Sequence, residues 1–260
     1  MFAASRSQCQ IIRNCLQYSI QPMSFFVPVT ESGWCVAAVE RAAQFILEGK
    51  VIALPTDTVY GLAAAAQNIQ AIEQLYKIKG RDRKKPVAIC VNSVKSISCW
   101  GKVAGLPPGL LDTLLPGPVT VVLERTSDLN PTLNAGTSKV GIRIPDSEFV
   151  LQLCKRLGTP LALTSANASN EPSSLAPEEF QSLWPHLAAV FHCGRIGDST
   201  SLRTGSTVVD LSVPGKYHIL RPGSALASIK RVLERFEIVE HDTCCVLKSH
   251  DLFCGCTRVD

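Results

Sequence analysis

A dense run of cations, "YKIKGRDRKKP", extends from Tyr76 to Pro86 and holds six basic side chains and one acidic side chain in eleven residues. Lysine supplies a mobile point charge and arginine a flat, two-pronged donor, so together they suit a triphosphate or an RNA backbone. The alternative is a solvated basic loop without a ligand. Pro86 and the apolar residues after it favour binding, because they fix the connection against a predicted strand.

Hydroxyl and amide side chains follow apolar strands at two other places. In "LPTDTVYGL", residues 54–62, Thr56 and Thr58 can both donate and accept hydrogen bonds. In "LTSANAS", residues 163–169, Ser165 and Asn167 are two positions apart and point the same way in extended backbone. Each stretch alone could be an ordinary polar turn. Beside the cationic run, they predict a polar site at the ends of strands.

A last pair of motifs combines a hydroxyl group with a cation. Ser206 begins the predicted strand in "GSTVVDL", and Arg221 ends the next one in "LRPGS". Ser224 is predicted to cap the last helix, whose N-terminus would favour an anion. A structural pair between Arg221 and a carboxylate is the alternative.

The standard nucleotide and hydrolase motifs are absent from the sequence. It contains no G-x-x-x-x-G-K-[ST], G-x-G-x-x-G, H-E-x-x-H or G-x-S-x-G. A nucleotide would therefore bind without a standard glycine-rich loop.

Composition indicates a chain that can bury a substantial core. The 260 residues are 46% hydrophobic, and the formal net charge of +4 does not by itself indicate nucleic-acid binding. No apolar run approaches the roughly 20 residues that span a bilayer. Eleven cysteines occur without a visible secretory signal, so reduced thiols are expected.

Helical and strand patterns alternate between the two ends of the chain. Helices are predicted at 36–48, from Asn68 to Tyr76, at 147–157, from Pro177 to Trp184 and from Ser224 to Phe236. Strands are predicted at 51–54, 87–91, 119–124, 140–144, 160–164, 206–211 and 217–220. This alternation predicts one α/β domain, residues 37–236, with a mixed, twisted sheet between helices.

The two ends differ from this pattern. Residues 1–30 contain Arg6 and Arg13 but no acid, which is typical of a mitochondrial transit segment; a disordered tail is the alternative. Residues 237–260 form a Cys-rich tail without periodicity. Its cysteines and histidines lack a standard C-x₂-C pair, so no metal site is predicted there, and a zinc knuckle is the alternative.

Taken together, these motifs resemble the YrdC family of threonylcarbamoyl-AMP synthases. The resemblance rests on Lys79-Gly-Arg81 with Lys85-Pro86, on Ser165-Ala-Asn167, and on "PTDTVYGL" and "GSTVVDL…LRPG", in that order along the chain. It covers about residues 37–236. It implies an open, twisted mixed sheet with flanking helices and a positively charged concave face.

The resemblance also implies a reaction. L-Threonine, bicarbonate or CO₂, and ATP would give threonylcarbamoyl-AMP and diphosphate, with Mg²⁺ accompanying ATP. A transferase complex would then move the threonylcarbamoyl group to adenosine 37 of tRNA, and direct tRNA contact is an open expectation. Both reacting groups belong to substrates, so the protein must align them and stabilise developing charge.

By the same resemblance, each candidate residue receives an expected role. The catalytic set is Lys79, Arg81, Ser165 and Asn167. The threonine-binding set is Thr56, Thr58, Arg143, Ser165 and Ser206. The ATP-binding set is Lys79, Arg81, Lys85, Asn167, Ser173 and Arg221. No protein metal site is expected, and Asp57 is the one carboxylate considered as a direct helper of Mg²⁺.

Loop cations contribute little to a core, so replacing Lys79 or Arg81 by alanine is expected to reduce turnover without unfolding. Asn170 stands where many relatives have glycine, and asparagine tolerates the left-handed conformation that a turn there would require.

Two other functions are compatible with the motifs. One is an RNA-binding module that uses the basic face without catalysis and weakens steeply with salt. The other is the related domain of hydrogenase-maturation carbamoyltransferases, which are long multidomain chains. The expected location is the mitochondrion and the cytoplasm, with peripheral membrane association through the basic face as a further option.

Overall fold

Residues 25–29, 36–80, 82, 85–197 and 203–241 are described by a computed structural model. Within them, one sheet contains eleven strands. The strands are β1 (Phe26–Pro28), β2 (Ile52–Pro55), β3 (Tyr60–Ala65), β4 (Ala88–Cys90), β5 (Val119–Glu124), β6 (Lys139–Arg143), β7 (Leu161–Ser165), β8 (Val190–His192), β9 (Thr207–Asp210), β10 (Lys216–Arg221) and β11 (Val239–Glu240).

The helices of the described residues are α1 (Val36–Leu47), α2 (Ile69–Lys79), α3 (Leu110–Leu114), α4 (Glu148–Leu157) and α5 (Leu226–Arg235). Two 3₁₀ segments add Val94–Cys99 and Pro177–His186. The Asn68 side chain caps α2 by accepting from the Ala71 amide at 3.0 Å, as predicted. Gly80 and Gly158 end α2 and α4 in the left-handed conformation, where glycine carries no steric penalty.

The sheet is mixed and open, with the order β1-β8-β2-β3-β7-β4-β6-β5-β9-β10-β11. The central strands β2, β3, β7 and β4 run antiparallel to their neighbours in that series. Parallel pairs join β4 to β6 and β5 to β9. This arrangement confirms the predicted α/β fold with flanking helices.

The two faces of the sheet are covered unequally. On one face, strand residues such as Leu62, Ile89 and Val121 share a core with α2, α3, α5 and both 3₁₀ segments. On the other face, α1 and α4 pack over β2, β7 and β8, with Leu161 and Phe191 in the contact. The same face of β6, β5 and β9 lines an open cavity instead.

Several predicted elements differ from the structure. The "YGLAAA" segment is strand β3, for which no element was predicted from the sequence. The prediction that Ser224 caps α5 is wrong. The cap residue is Ala225, and the Ser224 hydroxyl donates to the Gly205 carbonyl at 3.3 Å.

The two terminal segments of the sequence prediction each overlap the sheet. β1 lies within residues 1–30 and pairs with β8, while β11 lies within residues 237–260 and pairs with β10. Of the Cys and His residues in that C-terminal tail, His241 is described, and the rest lie outside the described residues. Across the described ranges, we find no helix with the length and apolarity to cross a bilayer.

Candidate active site

A cavity of about 500 Å³ occupies the uncovered half of the second sheet face. Its walls come from β3, β4, β5, β6, β7, β9 and β10 and from the turns beside them. The predicted site residues that line it are Thr56, Thr58, Arg143, Ser165, Ser173, Ser206 and Arg221. These residues are distant in sequence, and the sheet brings them to one place.

The turn after β2 presents two hydroxyl groups to this cavity. The Thr56 hydroxyl donates to the Val59 carbonyl at 2.8 Å and lies 3.1 Å from the Thr58 hydroxyl. The backbone amide of Thr58 donates to the Thr56 hydroxyl at 3.2 Å. These local bonds fix the turn, so both hydroxyls are held in place before any ligand arrives.

Arg143 ends β6 and faces the same turn. Its NH2 nitrogen donates to the Asp57 carboxylate and, at 3.1 Å, to the Thr58 hydroxyl. The Arg143 and Asp57 side chains are only 8% and 10% exposed. Arg143 Nε and Asp57 Oδ2 are buried without a hydrogen-bond partner among the described residues. Buried groups of this kind cost free energy unless paired, so this pair has spare capacity for a polar ligand.

Lys79 is buried rather than displayed on a loop. It is the last residue of α2 and is 3% exposed. Its ammonium group donates to the carbonyl and hydroxyl oxygens of Ser165 at 2.6 and 3.2 Å, and to the carbonyl and side-chain oxygens of Asn167 at 2.9 and 3.0 Å. The interpretation of Lys79 as a loop cation is therefore wrong, because it ends a helix and donates to buried oxygens of Asn167.

Asn167 continues this network on the other side. Its amide nitrogen donates to the carbonyl oxygens of Ala168 and Glu171 at 2.8 and 2.7 Å. Lys79 and Asn167 therefore shape the turn after β7, although neither lines the cavity itself. Ser165 is the member of this network that does.

The remaining cations of the basic run are only partly described. Lys85 is exposed and its ammonium group lies 3.0 Å from the Asn170 side-chain oxygen. Asn170 adopts a φ of 72°, in the left-handed region that asparagine tolerates. Arg81 lies outside the described residues, so its predicted role stays a prediction.

Ser206 and Arg221 form the opposite wall. The Ser206 hydroxyl lies 2.8 Å from the Thr120 hydroxyl on β5. Arg221 donates to the carbonyl and hydroxyl oxygens of Ser206 at 2.8 and 3.2 Å. Gly223 makes this contact possible, because a Cβ atom there would lie 2.4 Å from backbone atoms of Ser206 and Thr207.

Sequence reasoning missed a charged pair at the other end of the cavity floor. Lys139 on β6 and Asp210 on β9 both line the cavity and are 2.8 Å apart. Burial tends to raise the pKa of Asp210, but hydrogen bonds from Lys139 and Ser212 outweigh it and hold the pKa below its ordinary value. Alternation along β6 could have identified Lys139, since it lies on the same face as Gly141 and Arg143.

The donors around the cavity do not resemble a metal cage. No group of three or more His, Cys, Asp and Glu side chains suited to a metal occurs among the residues that the structure describes. Asp210 lines the cavity and already binds Lys139, while Asp57 lies between the lining residues Thr56 and Thr58 and binds Arg143. A hard cation such as Mg²⁺ would take most of its oxygen ligands from elsewhere.

Fold and cavity together define an α/β protein whose half-covered sheet holds a cavity lined by hydroxyl groups and by the cations Lys139, Arg143 and Arg221. Residues 44–223 match the Sua5/YciO/YrdC family model, described as "Telomere recombination". The chain belongs to this family, which confirms the resemblance inferred from its motifs.

Similar proteins of known name support the assignment. The chain is 48% identical to a threonylcarbamoyl-AMP synthase of Bos taurus over 82% of this chain and 78% of that one. It is 50% identical to the Homo sapiens protein of that name, over 78% and 73%. Among solved structures, Pyrococcus abyssi Sua5 complexed with L-threonine superposes with a TM-score of 0.72 at 30% identity. That match covers 84% of this chain and 63% of the archaeal one, so the chain spans less than two thirds of that longer protein.

Proposed function

We propose that this protein is a threonylcarbamoyl-AMP synthase, a nucleotidyltransferase that joins L-threonine, bicarbonate or CO₂, and ATP. The names of its Bos taurus and Homo sapiens relatives and the threonine complex of the archaeal relative support this proposal. The observation that carries it is the shared cavity: Arg143 with two threonine hydroxyls faces Ser206 and Arg221 across one space.

The cavity has the size and chemistry for two reactants. A volume of about 500 Å³ falls within the range of small-molecule sites. Arg143 and the hydroxyls of Thr56 and Thr58 suit an amino acid that carries both a carboxylate and a hydroxyl group. Arg221 and Ser173 suit phosphate oxygens. Ser206, which the family resemblance placed in the threonine-binding set, bonds Arg221 and is reassigned to this second group. We assign threonine to the first group and ATP to the second.

In the proposed reaction, the protein makes no covalent bond to either substrate. The neutral threonine amine adds to CO₂ and loses a proton, which gives a carbamate. A carbamate oxygen then bonds to the α-phosphorus of ATP while the bond from that phosphorus to the bridging oxygen of diphosphate breaks. The site has to hold both reactants within reach and stabilise charge on the phosphate oxygens.

The Cys90 thiol is a potential nucleophile in the cavity, but it is unsuited to attack a substrate. Cys90 lines the cavity, yet its side chain is fully buried. This burial raises the pKa of the Cys90 thiol to about 12, so it stays protonated near neutral pH. Because only the thiolate is a good nucleophile, Cys90 is expected to act as an apolar wall.

Lys79 is proposed to act from a buried position, not as an exposed cation. Its ammonium group bonds Ser165 and Asn167. It thereby fixes the turn after β7 and adds positive potential to that end of the cavity. Direct contact with phosphate would require Lys79 to exchange one of those bonds for a substrate oxygen. We retain Lys79, Ser165 and Asn167 as the proposed catalytic group, with Arg81 as its further cation.

Mg²⁺ is proposed to enter with ATP rather than to reside in the protein. Its expected ligands are phosphate oxygens and water, because Asp57 already binds Arg143. When bound there, Mg²⁺ would neutralise charge on the leaving diphosphate.

The wider role proposed for the product is transfer to adenosine 37 of tRNA by a separate transferase complex. We propose mitochondrial and cytoplasmic locations on the composition of residues 1–30. Fusing residues 1–30 to a fluorescent protein tests the first location: mitochondrial import is expected, and diffuse fluorescence would contradict it.

The activity itself is tested by measuring diphosphate release by purified protein. Release is expected when ATP, threonine and bicarbonate are all present, together with a product of the mass of threonylcarbamoyl-AMP. Equal release without threonine would refute the proposal. A salt-sensitive RNA complex with no product would instead favour an RNA-binding module.

A further inference from the structure

A charged cluster outside the cavity joins two segments of its wall. Glu179, in the 3₁₀ segment Pro177–His186, accepts from Arg203 at 2.6 and 2.9 Å through its two carboxylate oxygens. It also accepts from Arg195 at 3.0 Å and from the Leu175 amide at 2.9 Å. None of these four residues lines the cavity, and none was singled out by the sequence motifs.

Arg203 extends this cluster to the site. Its NH1 nitrogen, which binds Glu179, also donates to the Ser173 carbonyl oxygen at 2.7 Å. Ser173 lines the cavity, and so do Thr204, Gly205 and Ser206, which directly follow Arg203 in the chain. One guanidinium group therefore holds together two wall segments that are thirty positions apart in sequence.

Further bonds fix this wall on its far side. The Gly205 carbonyl accepts from the Ser224 amide at 3.1 Å, and Arg221 binds Ser206. These bonds connect residues 205 and 206 to the segment after β10, but they do not involve Ser173. Arg203, which Glu179 holds through two bonds, links the 203–206 segment directly to Ser173.

We propose that Glu179 is a positioning residue for the nucleotide half of the cavity, and that it acts by orienting Arg203 and through it Ser173 and the 204–206 segment. This inference rests on the proposed function, because it takes Ser173 and Arg221 as contacts of ATP. Glu179 touches no substrate.

The charge state of the cluster suits this role. The Arg203 hydrogen bonds lower the pKa of Glu179 to about 2 against the opposing effect of burial, with help from the Leu175 amide and Arg195. Glu179 is therefore ionised at any working pH. A paired carboxylate with both oxygens engaged holds a guanidinium in one orientation, which a neutral amide cannot do equally well.

The effect should be selective for one substrate. The threonine half of the cavity is built from the turn after β2 and from Arg143 on β6, and the cluster contacts neither. Displacing Ser173 and residues 204–206 should weaken ATP binding in the ground state and the transition state alike. A loss of this uniform kind raises KM and leaves kcat unchanged.

The test is Glu179→Gln in the full chain, with Glu40→Gln as the matched control. Glu40 also forms a two-bond pair with an arginine, at 2.7 and 2.9 Å to Arg156, and neither residue lines the cavity. For Glu179→Gln we expect KM for ATP to rise roughly tenfold while kcat and the threonine dissociation constant change by less than about twofold. Glu40→Gln should match the parent protein in all three.

A second variant keeps the inference open to refutation if Glu179→Gln does not fold. Arg203→Lys preserves the charge but cannot bind both Glu179 oxygens and the Ser173 carbonyl from a rigid fork, so the same ATP-selective loss is expected. A folded variant of either kind with unchanged KM for ATP, or with equal losses for ATP and threonine, overturns the inference. If the parent protein binds ATP in calorimetry but makes no product, the proposed function is overturned instead. In that case, comparing the ATP dissociation constants of parent and variant still tests whether Glu179 positions the nucleotide half of the cavity.

Discussion

Lys79 Nζ lies 2.6 Å from the carbonyl oxygen of Ser165, so the last residue of α2 is bonded to the end of strand β7. Helix α2 packs on the covered face of the sheet, whereas Ser165 lines the cavity on the other face. The ammonium group therefore couples the core to the site, and its removal should affect both.

Lys79→Met should lower stability as well as activity. The substitution keeps the apolar stem but leaves the buried oxygens of Asn167 and the partly buried oxygens of Ser165 without their cation. We expect a loss of about 1–3 kcal/mol in the free energy of unfolding, measured by urea denaturation, together with a large loss of diphosphate release. Lys85→Met is the control for stability, because Lys85 is exposed and its ammonium group bonds the exposed Asn170 side chain rather than buried oxygens. Unchanged stability of Lys79→Met would contradict this assignment.

Arg143→Lys should weaken threonine binding selectively. A lysine ammonium cannot reproduce the guanidinium that bonds Asp57 and Thr58 together, and the buried Asp57 carboxylate would lose its partner. We expect the threonine dissociation constant, measured by calorimetry, to rise by roughly tenfold or more. The dissociation constant for ATP should change much less. Equal weakening of both ligands would contradict the division of the cavity into two halves.

Gly223→Ala should disrupt the wall that carries Ser206. The added Cβ would lie 2.4 Å from the Ser206 carbonyl carbon and the Thr207 nitrogen, and backbone cannot move aside cheaply. We expect a stability loss of about 2 kcal/mol or more in thermal denaturation, with reduced product formation. Gly136→Ala provides the comparison: its φ is 89°, but no atom lies within 4 Å of its Cβ position. It should cost about 1–2 kcal/mol without changing either KM.

The buried thiols should make stability fall at alkaline pH. Burial raises the pKa of Cys90 to about 12 and places that of Cys154 well above its ordinary value. In the unfolded chain both thiols ionise near pH 8.5. From there up to about pH 12 the folded state holds more protons, so unfolding becomes easier as pH rises.

Urea denaturation between pH 7 and pH 10 measures this slope. Cys90→Ala should lessen it, and an unchanged slope would mean that Cys90 does not contribute. Peptide mapping after iodoacetamide treatment at pH 8 gives a second reading: Cys99 is exposed and should be alkylated, whereas Cys90 should be protected until the protein unfolds.

The sequence predicted elements that carry a strong local pattern. The apolar run of β5 was predicted at 119–124 and is found at Val119–Glu124. Strand β3 was missed because glycine and alanine have low strand propensity. Its conformation is imposed by pairing with β2 on one side and β7 on the other.

In the site too, residues in local motifs were predicted, whereas contacts made by the tertiary fold were not. Thr56, Thr58, Ser165 and Ser206 were identified from motifs and Arg143 from the family resemblance, and all five line one cavity. What the motifs could not indicate is which cation is buried, since Lys79 becomes a buried donor only when the turn after β7 folds over it. The Glu179–Arg203 pair was equally hidden, because its partners are twenty-four positions apart and a glutamate early in a helix ordinarily suggests only a favourable dipole contact.

Strand β1 sets a limit on how far the N-terminus could be trimmed in a cell. Phe26 packs edge-on against Trp184 at 4.7 Å between ring centres, and Val29 donates to the His192 carbonyl at 2.7 Å. A protease that cut before residue 25, or translation that began at Met23, would leave these contacts whole. A cut after Val29 would remove the edge strand β1 and make β8 the new edge of the sheet. The unpaired backbone groups of β8 could then pair with another chain.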